Sequence, residues 1–146
     1  MSMEKMSVDL LLELKSHPRS VVSISPGESV ATAARVLKER NVGLLVVLEG
    51  GNLVGVISER DIVHRWAFSD SPNPKAIVND IMSKNVESVT TTDTVFDCYL
   101  RFVARNCRHL PVLDPMGTVI GVLSLRDVAK YVVGELTKLK AAQNHD

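Results

Sequence analysis

The feature that most constrains this chain is that it repeats itself. Val21, Ser23, Val30, Arg40, Asn41 and Val47 recur 65 positions later as Val86, Ser88, Val95, Arg105, Asn106 and Val112. One extra residue enters the second turn, Asp114-Pro115-Met116-Gly117 against Glu49-Gly50-Gly51. From there Gly51, Gly55, Val56, Ser58, Arg60 and Asp61 recur 66 positions later as Gly117, Gly121, Val122, Ser124, Arg126 and Asp127. A single register broken by one insertion at a turn predicts two copies of one supersecondary unit. Two copies suffice for a pseudo-twofold pair but not for a solenoid.

Each copy reads alike locally. A β-rich stretch (Val21–Ile24; Val86–Val89) leads into a helix whose apolar positions keep the i, i+3, i+4, i+7 spacing of one buried face. Those positions are Val30, Ala33, Ala34 and Leu37 in the first copy, and Val95, Cys98, Tyr99 and Phe102 in the second. Ser25-Pro26-Gly27-Glu28 and Thr91-Thr92-Asp93 offer oxygens to cap the helix starts. Two apolar runs follow, Leu44–Leu48 with Leu53–Ile57 and Leu110–Leu113 with Val119–Leu123, joined by Gly-containing turns that suit a hairpin. A second helix closes each copy, opening at Ser58 and at Ser124. The predicted order is therefore β-α-β-β-α, twice, an α+β fold. The first repeat is placed at 8–69, a Pro- and Ser-containing linker at 70–77, the second repeat at 78–137 and a tail at 138–146.

Composition excludes more than it proposes. Seventeen basic residues balance seventeen acidic ones, so there is no field to recruit nucleic acid or an anionic membrane. No apolar run reaches the ~18–20 residues of a membrane span, and the start carries no export signal. Cys98 and Cys107, nine apart on one predicted helix, are too distant for a disulfide and read as reduced, cytoplasmic thiols. The four histidines, His17, His64, His109 and His145, lack metal-ligand spacing, so no metal site is expected.

The chemistry concentrates in Ser58-Glu59-Arg60-Asp61 and Ser124-Leu125-Arg126-Asp127. One reading is a capping box, in which Ser and Asp exchange hydrogen bonds with each other's backbone N–H. The other is a ligand site. A helix N-terminus favours phosphate, a carboxylate there accepts both hydroxyls of a diol, and Arg60 or Arg126 can reach phosphate with a planar fork. Both readings can hold together. Ser58, Asp61 and His64 stand on consecutive turns of one helix, where the acid cannot orient the imidazole toward the serine, so a hydrolase triad is not expected.

The repeat order, the phrases Gly55-Val-Ile-Ser-Glu-Arg-Asp61 and Gly121-Val-Leu-Ser-Leu-Arg-Asp127, Asp80-Ile81-Met82, and Arg108-His109-Leu110-Pro111-Val112 resemble the CBS domain, here as a tandem pair or Bateman module. The resemblance spans Val8 to Val133. It implies a non-catalytic regulatory module that binds an adenosine nucleotide (AMP, ADP, ATP, NADH or S-adenosylmethionine) in the cleft between repeats and modulates a partner protein in trans. In such modules the Asp holds ribose, the Ser approaches phosphate, and backbone of the other repeat grips adenine. Carried over, Asp127 and Ser124, with Arg126, work with Ser23, Gly43 and Leu44. Asp61 and Ser58, with Arg60, work with Ser88, Arg108 and His109. The basic pair Arg108-His109 has Gly43-Leu44 as its counterpart in copy one, which implies unequal sites with more phosphate charge on the Asp61 side.

The closing helices carry matching apolar stripes, Ile62, Val63, Trp66 and Ala67 against Val128, Ala129, Val132 and Val133. Exposed apolar patches mark interfaces, and the resemblance implies a homodimer joined by these helices. The alternative is an interaction scaffold of the same fold with vestigial pockets.

Overall fold

The computed structural model describes residues 1–15 and 21–144. It is an α+β fold built as two three-stranded sheets with helices. The elements are α1 (Val8–Leu14), β1 (Ser23–Ile24), α2 (Val30–Arg40), β2 (Leu44–Glu49), β3 (Asn52–Ser58), α3 (Glu59–Asp61), α4 (Val78–Ile81), β4 (Val89–Thr90), α5 (Val95–Arg105), β5 (His109–Leu113), β6 (Val119–Ser124) and α6 (Leu125–Gln143). After α3 the helix widens into a π-helical stretch, Ile62–Ala67.

In each sheet the short strand pairs parallel to the middle one, which pairs antiparallel to the last: β1-β2-β3 and β4-β5-β6. A parallel pair needs a crossover helix, and α2 and α5 supply it. The hairpin β2–β3 turns through Gly50 and Gly51 at φ 57 and 82, left-handed values that a side chain would strain. The strands carry β-branched and leucine side chains whose alternate members fill the core, Leu45, Val47 and Ile57 in one unit and Leu110, Val112 and Leu123 in the other.

Asn41 and Asn106, identical in the two copies, are explained by helix termination. Both sit at C-caps in left-handed conformation, φ 52 and 48, which asparagine tolerates better than most residues. The helix starts differ from the sequence expectation. Ser29 caps α2 and Thr94 caps α5, downstream of Ser25–Glu28 and Thr91–Asp93. Asp93 instead folds back, its carboxylate accepting from the Thr90 N–H at 2.8 Å. On α5 the buried residues are Val95, Cys98 and Phe102, whereas Tyr99 is 43% exposed. Tyr99 completes the 3.6-residue pattern on paper but sits at the edge of that face. Cys107 lies beyond the end of α5, so the two cysteines do not share a helix.

The folded units are out of phase with the sequence repeat. One unit is Val21–Val86; the other joins residues 1–15 to residues 87–144. The helix preceding each repeat thus packs on the other copy. In the first unit, Val30 N–H donates to the Ala76 carbonyl (3.0 Å) and Val78 N–H to the Glu28 carbonyl (2.8 Å), with Val78, Ile81 and Met82 in the core. In the second, Val95 N–H donates to the Met6 carbonyl (2.9 Å) and Val8 N–H to the Asp93 carbonyl (2.8 Å), with Met6, Val8, Leu11 and Leu12 in the core. The placing of α1 with the first repeat, at 8–69, therefore does not describe its packing.

Candidate functional site

Both Ser-x-x-Asp motifs fold as complete capping boxes. Ser58 Oγ accepts from the Asp61 N–H (3.1 Å) while Asp61 Oδ2 accepts from the Ser58 N–H (2.9 Å). Ser124 Oγ accepts from the Asp127 N–H (3.1 Å) while Asp127 Oδ2 accepts from the Ser124 N–H (2.8 Å). The preceding strand supplies a further partner for each helix start. The Glu59 N–H donates to the Gly43 carbonyl (3.2 Å) and the Leu125 N–H to the Arg108 carbonyl (2.9 Å). Within one unit, then, Gly43 and Leu44 stand beside Ser58, and Arg108 and His109 beside Ser124, with Leu44 opposite Ser58 and His109 opposite Ser124 in register. Ser23 belongs to the Asp61 unit and Ser88 to the Asp127 unit. Arg60, Arg108 and Arg126 are exposed.

The carboxylates are partly buried, with side chains 14% exposed at Asp61 and 18% at Asp127, and their remaining partners differ. Asp61 Oδ2 also accepts from the Ser58 hydroxyl (3.0 Å), and its Oδ1 faces Ser83 Oγ at 3.4 Å and Arg65 Nε at 3.8 Å. Asp127 Oδ2 instead pairs with Lys15 Nζ at 3.0 Å, and the same ammonium donates to the Val122 carbonyl at 2.9 Å. Lys15, Arg65 and Ser83 are partners of the two aspartates that sequence reasoning missed. Arg65 was legible in principle, four residues after Asp61 on one helix. Lys15 was not, because only the folding of residues 1–15 onto the second repeat brings it there.

Pro111 makes a second asymmetry. In the first unit the Val46 N–H donates to the Val22 carbonyl (3.1 Å), and β1 pairs from Ser23 onward. Pro111 occupies the equivalent position and has no N–H to give. Pairing of β4 accordingly starts at Val89, and Ser88 lies outside the strand.

The predicted interface residues do not all face outward. Ile62 and Val128 are 8% and 2% exposed and belong to the cores of their own units, so they cannot also cover a partner. Each falls on the sheet-facing side one residue after the capping Asp. Trp66 and Val132 pack against the same cores, and the Trp66 Nε1–H donates to the Asn73 carbonyl at 2.8 Å. Val63, Ala67, Ala129 and Val133 remain exposed. A neighbouring stripe on α5, Phe96, Tyr99, Leu100 and Val103, is exposed as well.

Among the described residues no cluster of His, Cys, Asp and Glu could hold a metal, and no helix is long and apolar enough to cross a membrane.

Comparison with known proteins agrees with this architecture. The family model for the CBS domain matches twice, at residues 16–67 and 78–134. An uncharacterized 17.7 kDa protein of Acidianus ambivalens is 37% identical over 114 residues, which cover 77% of this chain and 68% of that protein. The crystal structure of a CBS domain superposes with a TM-score of 0.81 at 36% identity, covering 88% of this chain and 98% of the other. A CBS domain protein from Pyrobaculum aerophilum, solved in complex with AMP, superposes with a TM-score of 0.73 at 29% identity, covering 84% and 89%.

Proposed function

The chain belongs to the CBS-domain family, and on that premise we propose that it is a non-catalytic regulatory module that binds an adenosine nucleotide at its Ser-x-x-Asp motifs and alters the activity of a partner protein in trans. The observation that carries this reading is the pair of partly buried carboxylates, each fixed at a helix start by a capping box. A fixed carboxylate loses little freedom on taking a ribose diol, and the exposed N-terminal turn beside it suits phosphate. The AMP complex of the Pyrobaculum relative supports the same ligand class. AMP, ADP, ATP, NADH and S-adenosylmethionine are the candidates.

A thermal-shift titration of these five compounds tests the proposal. A nucleotide at about a hundred times its Kd stabilises the fold by about 2.7 kcal/mol, a rise of roughly 5–11 °C in Tm for a chain near this length. No shift with any of them at millimolar concentration refutes it.

One observation favours the scaffold reading as an alternative. Each aspartate already satisfies its helix start without a ligand, so the motif could persist as a cap alone. Self-association through the exposed apolar positions of the closing helices would then be the function, and the same titration separates the two.

A further inference from the structure

The two motifs carry the same Ser, Arg and Asp yet are wired differently, and the difference traces to residues 1–15. In the first unit the strand segment after α4 serves the motif. Ser83 N–H donates to the Val56 carbonyl (2.8 Å), and Ser83 Oγ reaches Asp61 Oδ1. In the second unit a lysine ammonium does both jobs, on the equivalent Val122 carbonyl and on Asp127. Two consequences follow. Lys15 occupies, on Asp127 Oδ2, the place that the Ser58 hydroxyl takes on Asp61 Oδ2. The Ser124 hydroxyl, which accepts from the Asp127 N–H, therefore keeps its own proton available to donate. Asp127 Oδ1, unlike Asp61 Oδ1, takes no hydrogen bond among the described residues, and the ammonium has a third N–H beyond its two partners.

Resting on the nucleotide-binding reading above, we infer that Lys15 is a positioning residue that makes Asp127 the more ligand-responsive of the two motifs. Among the described residues it balances the carboxylate charge without closing Oδ1, and it leaves the Ser124 hydroxyl able to donate to an anionic or hydroxyl oxygen. Asp61 Oδ1 already takes Ser83 Oγ and faces Arg65, so a diol there competes with existing partners. Placing the phosphate-rich ligand on the Asp61 side, as the Arg108-His109 pair alone would suggest, neglects Lys15. The backbone of Arg108 caps the Asp127 helix, within the unit that also holds Lys15.

Calorimetric titration of the full chain with AMP and 2′-deoxy-AMP tests this, using wild type, Lys15→Met, Lys15→Arg, Asp127→Asn and Asp61→Asn. Lys138→Met, which removes an exposed cation elsewhere on α6, is the control. Asp127→Asn is expected to weaken AMP at least tenfold more than Asp61→Asn does. Lys15→Met should weaken AMP about tenfold or more and erase the preference for AMP over its deoxy analogue, and Lys15→Arg should restore part of both. A lysine that only braced the fold would lower Tm without changing that preference. AMP binding that is unchanged or tighter in Lys15→Met, or that depends more on Asp61 than on Asp127, overturns the inference while leaving nucleotide binding intact. Wild type that binds neither probe nor any of the five candidate nucleotides overturns both.

Discussion

Gly55 and Gly121 occupy the same position of the repeated phrase, yet the structure assigns them unequal tolerance for a methyl group. A Cβ on Gly55 would lie 2.7 Å from Met82 Sδ and 2.9 Å from the Ser83 carbonyl oxygen. The backbone there cannot retreat freely, because Ser83 and Val56 exchange hydrogen bonds of 2.8 and 3.0 Å. Overpacking of this kind costs about 1–3 kcal/mol, and loosening the two hydrogen bonds adds about 0.5–1.5 kcal/mol each. Alanine returns about 0.4–1 kcal/mol by restricting the unfolded chain. Taking the middle of each range, the net expectation for Gly55→Ala is a loss of about 2–4 kcal/mol. At Gly121 the nearest atoms a Cβ would meet belong to the Leu12 side chain, its two methyls at 3.0 and 3.2 Å. They need give by only a few tenths of an ångström and are the end of a side chain, with no backbone atom as near. The strain is therefore small, the entropic gain offsets much of it, and Gly121→Ala stays within about 1 kcal/mol of wild type. Urea unfolding followed by far-UV circular dichroism and by the fluorescence of Trp66, the one tryptophan of the chain, measures both. With a slope of about 2 kcal/mol/M, Gly55→Ala moves the midpoint down by about 1–2 M. Equal shifts for the two variants would refute the argument, since it rests wholly on what each Cβ would touch.

Leu11→Ala should destabilise by about 2–5 kcal/mol, read from the same unfolding curves, because Leu11 is buried in the core formed with residues 87–144. A change under 1 kcal/mol would mean that residues 1–15 do not pack there. Burial pushes the Cys98 thiol up to about 12 and raises Cys107 less decisively, so at pH 8 only about one Cys98 in ten thousand is a thiolate. Iodoacetamide should label Cys107 in the folded protein and Cys98 only in urea, as peptide mass spectrometry will show; equal labelling refutes the burial. If the exposed closing-helix residues join two copies, light scattering should report twice the 16.0 kDa chain mass. Val63→Glu with Val133→Glu should then return it to one chain mass with the far-UV spectrum unchanged; Trp66→Glu would not test this, since Trp66 packs on its own core.

What was legible in the sequence is what local physics dictates. The β-α-β-β-α order follows from apolar periodicity and turn residues, and the capping boxes follow from Ser and Asp three residues apart before an apolar run. Arg40-Asn41 and Arg105-Asn106 were visible as a repeat, and a left-handed C-cap is the physical reason for the asparagine. The misplaced details are those that the same physics leaves degenerate. Cys98 and Tyr99 are consecutive, about 100° apart around the helix, and both fit the apolar spacing; only packing decides which turns inward. Ile62 and Val63 are likewise neighbours, and one is buried while the other is exposed. Ser25 and Ser29 are both competent caps; Ser29 serves because Val30 is tied to Ala76, a residue forty-six positions away.

The phase shift between sequence repeat and folded unit belongs to another class, because no local signal encodes it. Val8, Leu11 and Leu12 have the same apolar spacing as Val78, Ile81 and Met82, and either segment could in principle cover either sheet. Chain geometry resolves the ambiguity at one end. After β3 and the π-helical stretch, the chain passes Pro72 and Pro74 and reaches α4 while still beside its own sheet, where Val56 and Ser83 pair. That segment fills the position next to Gly55, so the equivalent position next to Gly121 is left for α1. The second repeat's motif therefore receives whatever residue follows α1, and that residue is a lysine instead of a backbone strand bearing Ser83. Two motifs nearly identical in sequence acquire different electrostatics because the segments that complete them come from different places in the chain. Read as repeats, Asp61 and Asp127 are interchangeable; read as folded units, one is closed by hydroxyls and an arginine and the other is held by Lys15.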